Sequence, residues 1–367
     1  MTIGIDIRAT IGKKAGKGWM IYYLVKALSK LPEAHKHKFI LFCSRPPEFD
    51  FELPTNFEIR EMPGRGWRWH WRLARRLKKS DEVDIYLSPA SFIVPALVKN
   101  KCVVIVHDLV SRLYPKGHNR KATFIESFTL RPTLKKALSI IAISANTKQD
   151  IVQEFPFTKG KVSVIPLAGG DVYRPVKDRQ RLQTVIRQFN LPEKYILFVG
   201  TLEPRKNISR IIAALTRTVD QELKLVVVGK KGWQWEEIFD RVDTLGLKDR
   251  VQFLDYVDTG DLVAMYSLAQ AFVFPSLYEG FGLPVLEAMQ CGCPVVTSKV
   301  SSLPEVAGEA AILVNPRKVK SIAVGIDRAI EYQDDLRLAG LAQARRFSWE
   351  KTAAQTLRII EEANDKR

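Results

Sequence analysis

Short apolar runs alternate with stretches of helical spacing along this chain, and the alternation occurs twice. In the first half the runs cover residues 3–7, 39–43, 57–62, 85–87, 103–106, 140–143 and 162–165. Between them, residues 19–31, 124–137 and 147–155 place apolar side chains at helical intervals, the last with Ser144 or Asn146 as its cap. Strands interleaved with helices read as α/β with a parallel sheet. Residues 166–194 hold Gly169-Gly170, Pro175 and many charges, and read as a linker followed by a helix. A second alternation then runs through 195–199, 223–228, 251–254, 271–274 and 294–297. A chain of 367 residues exceeds one ordinary core, so two domains are expected, at 1–170 and 171–346. A last helix over 347–367 opens at Phe347-Ser348-Trp349-Glu350, with Ser348 as cap.

Charge is unevenly shared. The chain has 57 Lys and Arg against 40 Asp and Glu, net +17; residues 1–170 hold 29 against 14, net +15, and the remainder 28 against 26, net +2. An anionic partner is expected for the first half: membrane headgroups, nucleic acid or a phosphorylated acceptor. No segment approaches the ~18 uninterrupted apolar residues of a membrane span, and the N-terminus opens on a strand without a signal-peptide pattern. Four cysteines, Cys43, Cys102, Cys291 and Cys293, do not make a disulfide framework, so a cytoplasmic location is expected. Residues 64–79 interleave Trp67, Trp69 and Trp71 with Arg65, Arg68, Arg72, Arg75, Arg76, Lys78 and Lys79. Three readings stand: an amphipathic patch on an anionic membrane, a nucleic-acid surface, or a helix with inward tryptophans and solvated charges. No DNA- or RNA-binding module accompanies the second.

The densest chemistry lies in residues 276–297. The strand 271–274 ends at Pro275-Ser276, Gly280-Phe281-Gly282 follow, and Pro284 is placed to be the first residue of a helix. Glu279 precedes that helix and Glu287 lies about one turn inside it. Glycines let the backbone approach a ligand, and the bare N–H groups of a helix start favour an anion. Arg205-Lys206 also follow a strand end and precede a helix, with the geometry of a phosphate contact. His107-Asp108 ends the run 103–106 at the edge where open α/β sheets place ligands; it is either a hydrogen-bonding or acid/base group or a satisfied polar pair. The loop 12–18, with Lys13, Lys14 and Lys17, could hold a phosphate, although no Gly-Lys-Ser/Thr ends it. No His, Cys or carboxylate spacing calls for a metal.

Together these residues resemble the retaining glycosyltransferases of family 4 (glycosyl transferases group 1), which have the GT-B fold. The resemblance rests on Glu279-x7-Glu287 with Gly-Phe-Gly-Leu-Pro between, the following Cys-Gly-Cys-Pro-Val-Val, and Gly200-Thr201-Leu202-Glu203-Pro204-Arg205-Lys206-Asn207. His107-Asp108 and the first glycine loop belong to it, and it spans most of the chain. Gly-Thr-Leu-Glu-Pro-Arg-Lys-Asn is similar to members that are mannosyltransferases. The resemblance implies two Rossmann-like doubly wound domains facing a central cleft, with the last helix packing back on the first, acceptor-side domain. It implies a nucleotide-diphosphate sugar donor held by the second domain, no metal or other cofactor, and a glycan or lipid-linked acceptor. By position, Arg205 and Lys206 would hold the diphosphate, Glu287 the ribose and Glu279 the donor sugar. The amides of Phe281, Gly282 and Leu283 would meet sugar hydroxyls and phosphate, His107 the sugar, Val257 the base, and Gly16 and Gly18 the phosphate or acceptor. Two departures stand out. Thr201 occupies a position where many members carry Arg after Gly, and Gly16-Lys17-Gly18-Trp19 replaces the usual Gly-Ile-Gly form.

The expected activity is transfer of a hexose, mannose in particular, for polysaccharide biosynthesis, by a protein peripheral to the inner membrane face. The competing reading is an inactive protein of the same fold acting as a membrane or nucleic-acid adaptor. An epimerase or phosphorylase on this fold is a further enzyme reading.

Overall fold

The structure, a computed structural model, describes all residues except 13, 15, 115–119 and 366–367, and the side chains of 120–123. Lys13 of the glycine loop therefore lies outside the described residues. The chain divides into two compact units, Met1–Leu167 with Ser348–Arg367, and Ala168–Phe347.

In the first unit the strands are β1 (Thr2–Asp6), β2 (Lys38–Cys43), β3 (Phe57–Glu61), β4 (Ile85–Ser88), β5 (Cys102–Val106), β6 (Ser139–Ala142) and β7 (Val162–Val164). They form one sheet in the order β3-β2-β1-β4-β5-β6-β7, every pair parallel. Parallel order forces each connection over a face of the sheet, which is why β-branched runs such as Cys102–Val106 are buried throughout. The order turns back between β1 and β4, opening a crevice at the carboxyl ends of the strands.

The helix Trp67–Lys79 resolves the tryptophan-arginine stretch by splitting it. Trp69 is fully buried and donates from Nε1 to Cys43 O at 3.2 Å, while Trp67 and Trp71 remain 70% and 49% exposed. Inward packing thus accounts for one tryptophan and not for the other two.

The terminal helix Trp349–Asp365 belongs to this unit. Its buried residues Trp349, Ala353, Leu357 and Ile360 recur at helical spacing. Trp349 stacks on Tyr23, with centroids 5.5 Å apart. Glu361 reaches His37 Nε2 at 2.9 Å, and Thr352 Oγ1 donates to Pro166 O at 2.7 Å.

In the second unit the strands are β8 (Tyr195–Val199), β9 (Lys224–Val228), β10 (Val251–Leu254), β11 (Ala271–Phe274), β12 (Val295–Ser298) and β13 (Ile312–Val314). Their order is β10-β9-β8-β11-β12-β13, again all parallel, so the turning point falls between β8 and β11. Gly229 lets β9 leave the sheet here, because a Cβ on it would sit 1.9 Å from Gly200 O. Strand β13, at the sheet edge, is not among the runs singled out in the sequence, although it ends the apolar stretch 310–314. All four cysteines are buried and free.

Candidate active site

The loops after β8 and β11 flank the turning point of the second sheet, and the backbone ties them together: Leu277 N donates to Arg205 O at 2.9 Å. Asn207 fixes the first loop. In left-handed conformation (φ 67°), which Asn tolerates, it sends Nδ2 to Pro275 O at 2.9 Å and to Pro316 O at 2.7 Å.

Arg205 and Lys206 converge on Glu279. Lys206 Nζ donates to Glu279 Oε1 at 2.7 Å, and Arg205 Nη1 lies 3.0 Å from Oε2. Arg205 Nη1 also donates to Tyr278 O at 2.6 Å, and Nη2 to Glu203 Oε1 at 2.5 Å. Burial pushes the Glu279 carboxyl up, but Lys206 and Arg205 outweigh it and hold the group below the usual carboxylate range. Glu203 goes the other way, raised by burial that Arg205 and Lys206 only partly offset.

Two serines that the sequence reading did not single out hold the Glu279 loop in shape. Ser301, itself at φ 61°, accepts from Glu279 N at 3.0 Å and donates to Glu279 O at 2.6 Å. Ser302 Oγ stands 2.9 Å from Glu279 O and 2.7 Å from Phe281 O. Gly282 then caps the helix Leu283–Gln290 at φ 116°, where a Cβ would lie 2.8 Å from Leu303 Cδ2. Pro284 is the second helical residue rather than the first, because the chain turns at Gly282 and Leu283 already has helical geometry. The first-turn N–H groups of a helix have no acceptor within it and carry the positive end of its dipole. The loop gripped by Arg205 therefore leads directly into an anion-attracting helix end.

Glu287 sits one turn inside that helix. Burial of its carboxyl raises the pKa to about 7, opposed by the hydroxyls of Tyr173 and Tyr266. These tyrosines come from the stretch after the linker and from the helix Thr259–Leu268, and the sequence reading missed both. Thr201 is exposed at the end of β8, and its methyl would collide at 2.7 Å with a Cβ on Gly232. Val257 is buried beyond the end of β10, two strands from β8, hence about 10 Å along the sheet edge.

In the first unit, His107 follows β5 and places Nε2 2.7 Å from Pro89 O. A carbonyl only accepts, so Nε2 carries the proton and Nδ1 keeps its lone pair. Burial and the charge of Lys17 lower the His107 pKa to about 4, against Pro89 and Asp108, leaving the ring neutral at pH 7. The helix Gly16–Lys30 starts inside the expected glycine loop, so Gly16 and Gly18 occupy its first turn. The two differ sharply. A Cβ on Gly18 would meet Ala9 O at 2.3 Å, whereas one on Gly16 meets nothing within 4 Å. Among the described residues no three His, Cys, Asp or Glu side chains group as metal ligands.

Comparison with known proteins identifies the family. The family model Glycosyltransferase Family 4 matches residues 16–168, and Glycosyl transferases group 1 matches residues 180–346. O-antigen chain mannosyltransferase B of Escherichia coli is 33% identical over 280 residues, 74% of this chain and 73% of that protein. The serotype-specific mannosyltransferase WbdA of Escherichia coli is 33% identical over 69% of this chain, which spans only 32% of that longer protein. Among solved structures, Anabaena Alr3699/HepE in complex with UDP and glucose superposes with a TM-score of 0.77 at 17% identity, covering 99% of this chain and all of that one. Sucrose-phosphate synthase from Thermosynechococcus elongatus gives 0.76 at 20%, covering 98% of each. The chain belongs to glycosyltransferase family 4, the glycosyl transferases group 1, and is a transferase enzyme of the GT-B fold.

Proposed function

We propose that the protein transfers mannose from a nucleotide-diphosphate sugar to a glycan or lipid-linked acceptor, with retention of configuration and without a metal. One observation carries this reading: Arg205 and Lys206 close on Glu279 beside the start of the Leu283–Gln290 helix. The choice of mannose follows the names of the relatives, O-antigen chain mannosyltransferase B and WbdA.

In this reading the second unit binds the donor and the first binds the acceptor. As the bond between sugar C1 and the diphosphate oxygen breaks, negative charge grows on the leaving group and positive charge on the sugar. Arg205, Lys206 and the amides of Phe281, Gly282 and Leu283 stabilise the former, each such donor being worth ~3–4 kcal/mol in preorganised sites. Glu279 faces the sugar. The acceptor hydroxyl attacks C1 from the side of the leaving group and passes its proton to the departing phosphate oxygen. Glu287 accepts from the ribose hydroxyls, Val257 and Thr201 line the nucleotide, and the lone pair of His107 Nδ1 accepts from a sugar hydroxyl. Gly16 and Gly18 give the phosphate or acceptor close access to backbone. The two fixed cations take the charge-neutralising part that a metal would otherwise play.

Product analysis tests this. With GDP-, UDP- and ADP-sugars and a mannose-terminated acceptor, one α-linked donor should yield an α-linked product, at undiminished rate in EDTA. A β-linked product or loss of turnover on chelation would contradict the proposal.

A further inference from the structure

Two helices of the first unit repeat one outward pattern. In Trp67–Lys79 the outer stripe reads Trp67, Trp71, Arg75, Lys78; in Arg120–Lys136 it reads Phe124, Phe128, Arg131, Lys135. Each begins with an aromatic pair four residues apart and ends in cations. Phe124 and Phe128 are 65% and 66% exposed, as bare as Trp67, and their rings touch at 4.7 Å between centroids. The guanidinium of Arg75 stands 5.4 Å from the Trp71 ring.

Both helices cover the same face of the sheet. The first packs on Ile40, Phe42, Tyr86 and Cys102, the second on Val104, Val106, Ile140 and Ala142. The register pairs Tyr86 with Cys102, Val104 with Ile140 and Val106 with Ala142, so all of these point the same way. The short helix Ile93–Leu97 lies between the two, bonded to the second through Thr133 Oγ1 to Phe92 O at 2.6 Å. Each long helix is the crossover between parallel strands and so runs against them, which puts its aromatic end at the carboxyl edge of the sheet, where His107 lies. A helix of 17 residues is about 26 Å long, and a strand of four or five only about 16 Å, so the Phe124–Phe128 turns overhang that edge.

We propose that this two-helix face docks on an anionic lipid bilayer, with Trp67, Trp71, Phe124 and Phe128 entering the headgroup–acyl boundary and the cations behind them meeting lipid phosphates. Exposed aromatics of this extent rarely stay solvated on a monomer. The unit holds 33 Lys and Arg against 18 Asp and Glu, net +15, so two copies repel each other across this face. Ile125, 46% exposed beside Phe124, adds aliphatic surface that suits an acyl boundary and offers no ring for a base to stack on, which favours lipid over nucleic acid. The proposal is independent of the donor chemistry, since lipid binding is read without any sugar.

The test is co-sedimentation of the full chain with phosphatidylcholine vesicles containing or lacking phosphatidylglycerol, at low and high salt. Binding is expected to anionic vesicles at low salt and to weaken as salt rises. Phe124→Ser/Phe128→Ser removes no charge and should still cut binding at least tenfold, as should Trp67→Ser/Trp71→Ser, with melting unchanged. As a second measurement on the unaltered protein, brominated acyl chains should quench tryptophan emission, and Trp67→Phe/Trp71→Phe should abolish the quenching while keeping the binding. A Phe124/Phe128 variant that binds like the parent overturns the two-helix face. Absence of vesicle binding overturns docking altogether, whether the face instead proves to hold a dimer or an oligonucleotide.

Discussion

Lys206 and Glu279 form an ion pair of 2.7 Å in the second unit, with Arg205 on the other carboxylate oxygen at 3.0 Å. In this pairing Glu279 occupies the cations that the reading above assigns to a diphosphate, so removing one partner or the other should shift nucleotide binding in opposite directions while both changes lower turnover. Glu279→Gln should bind nucleoside diphosphate at least as tightly as the parent while turnover falls a hundredfold or more. Lys206→Ala should weaken that binding and lower kcat by about 10²–10³. Calorimetry and initial rates on both variants check the pair.

Glu287 links stability to binding. Its carboxyl pKa is raised to about 7, so the folded protein holds a proton that the unfolded chain releases near 4.5. Stability from this group is therefore complete below about 4.5 and declines as pH rises through 7. Glu287→Gln should melt higher than the parent at pH 8, with the difference vanishing by pH 5, and should bind nucleotide more weakly. A lower melting temperature at pH 8 would argue against a strained carboxylate there.

Gly18 and Gly16 are not equivalent. Gly18→Ala drives a Cβ into Ala9 O and should cost about 1–3 kcal/mol, whereas Gly16→Ala finds open space and should leave melting unchanged. Thermal melting of the two single variants decides it.

Deleting residues 349–367 strips Trp349 from Tyr23 and Glu361 from His37 and uncovers the part of the first sheet formed by β4, β5 and β6. The first unit should then melt well below the parent. Unchanged melting would show that the helix adds nothing to that unit.

Much of this was legible in the sequence, and the exceptions have physical reasons. Buried parallel strands such as Tyr195–Val199 and Ala271–Phe274 are apolar on both faces, so they stand out as runs. Strand β13 escapes notice because its run 310–314 begins with two alanines and its middle residues lie at the sheet edge, only half-buried or exposed. Arg205, Lys206, Glu279 and Glu287 announced themselves by residue type beside strand ends and helix starts. Ser301, Ser302, Tyr173 and Tyr266 did not, because their parts depend on contacts across some 20 to 110 residues that no local pattern encodes. Of the tryptophans, only the helix phase separates buried Trp69 from Trp67 and Trp71, and the starting residue that fixes this phase lies in a glycine turn that is hard to place from sequence.

The most direct measurement is a crystal structure of the protein with a nucleoside diphosphate. The β-phosphate should lie within hydrogen-bond distance of Arg205 or Lys206 and of the Gly282–Leu283 amides, with the ribose on Glu287. A nucleotide bound elsewhere, or a phosphate that leaves the Lys206–Glu279 pair untouched and out of reach, would contradict the account.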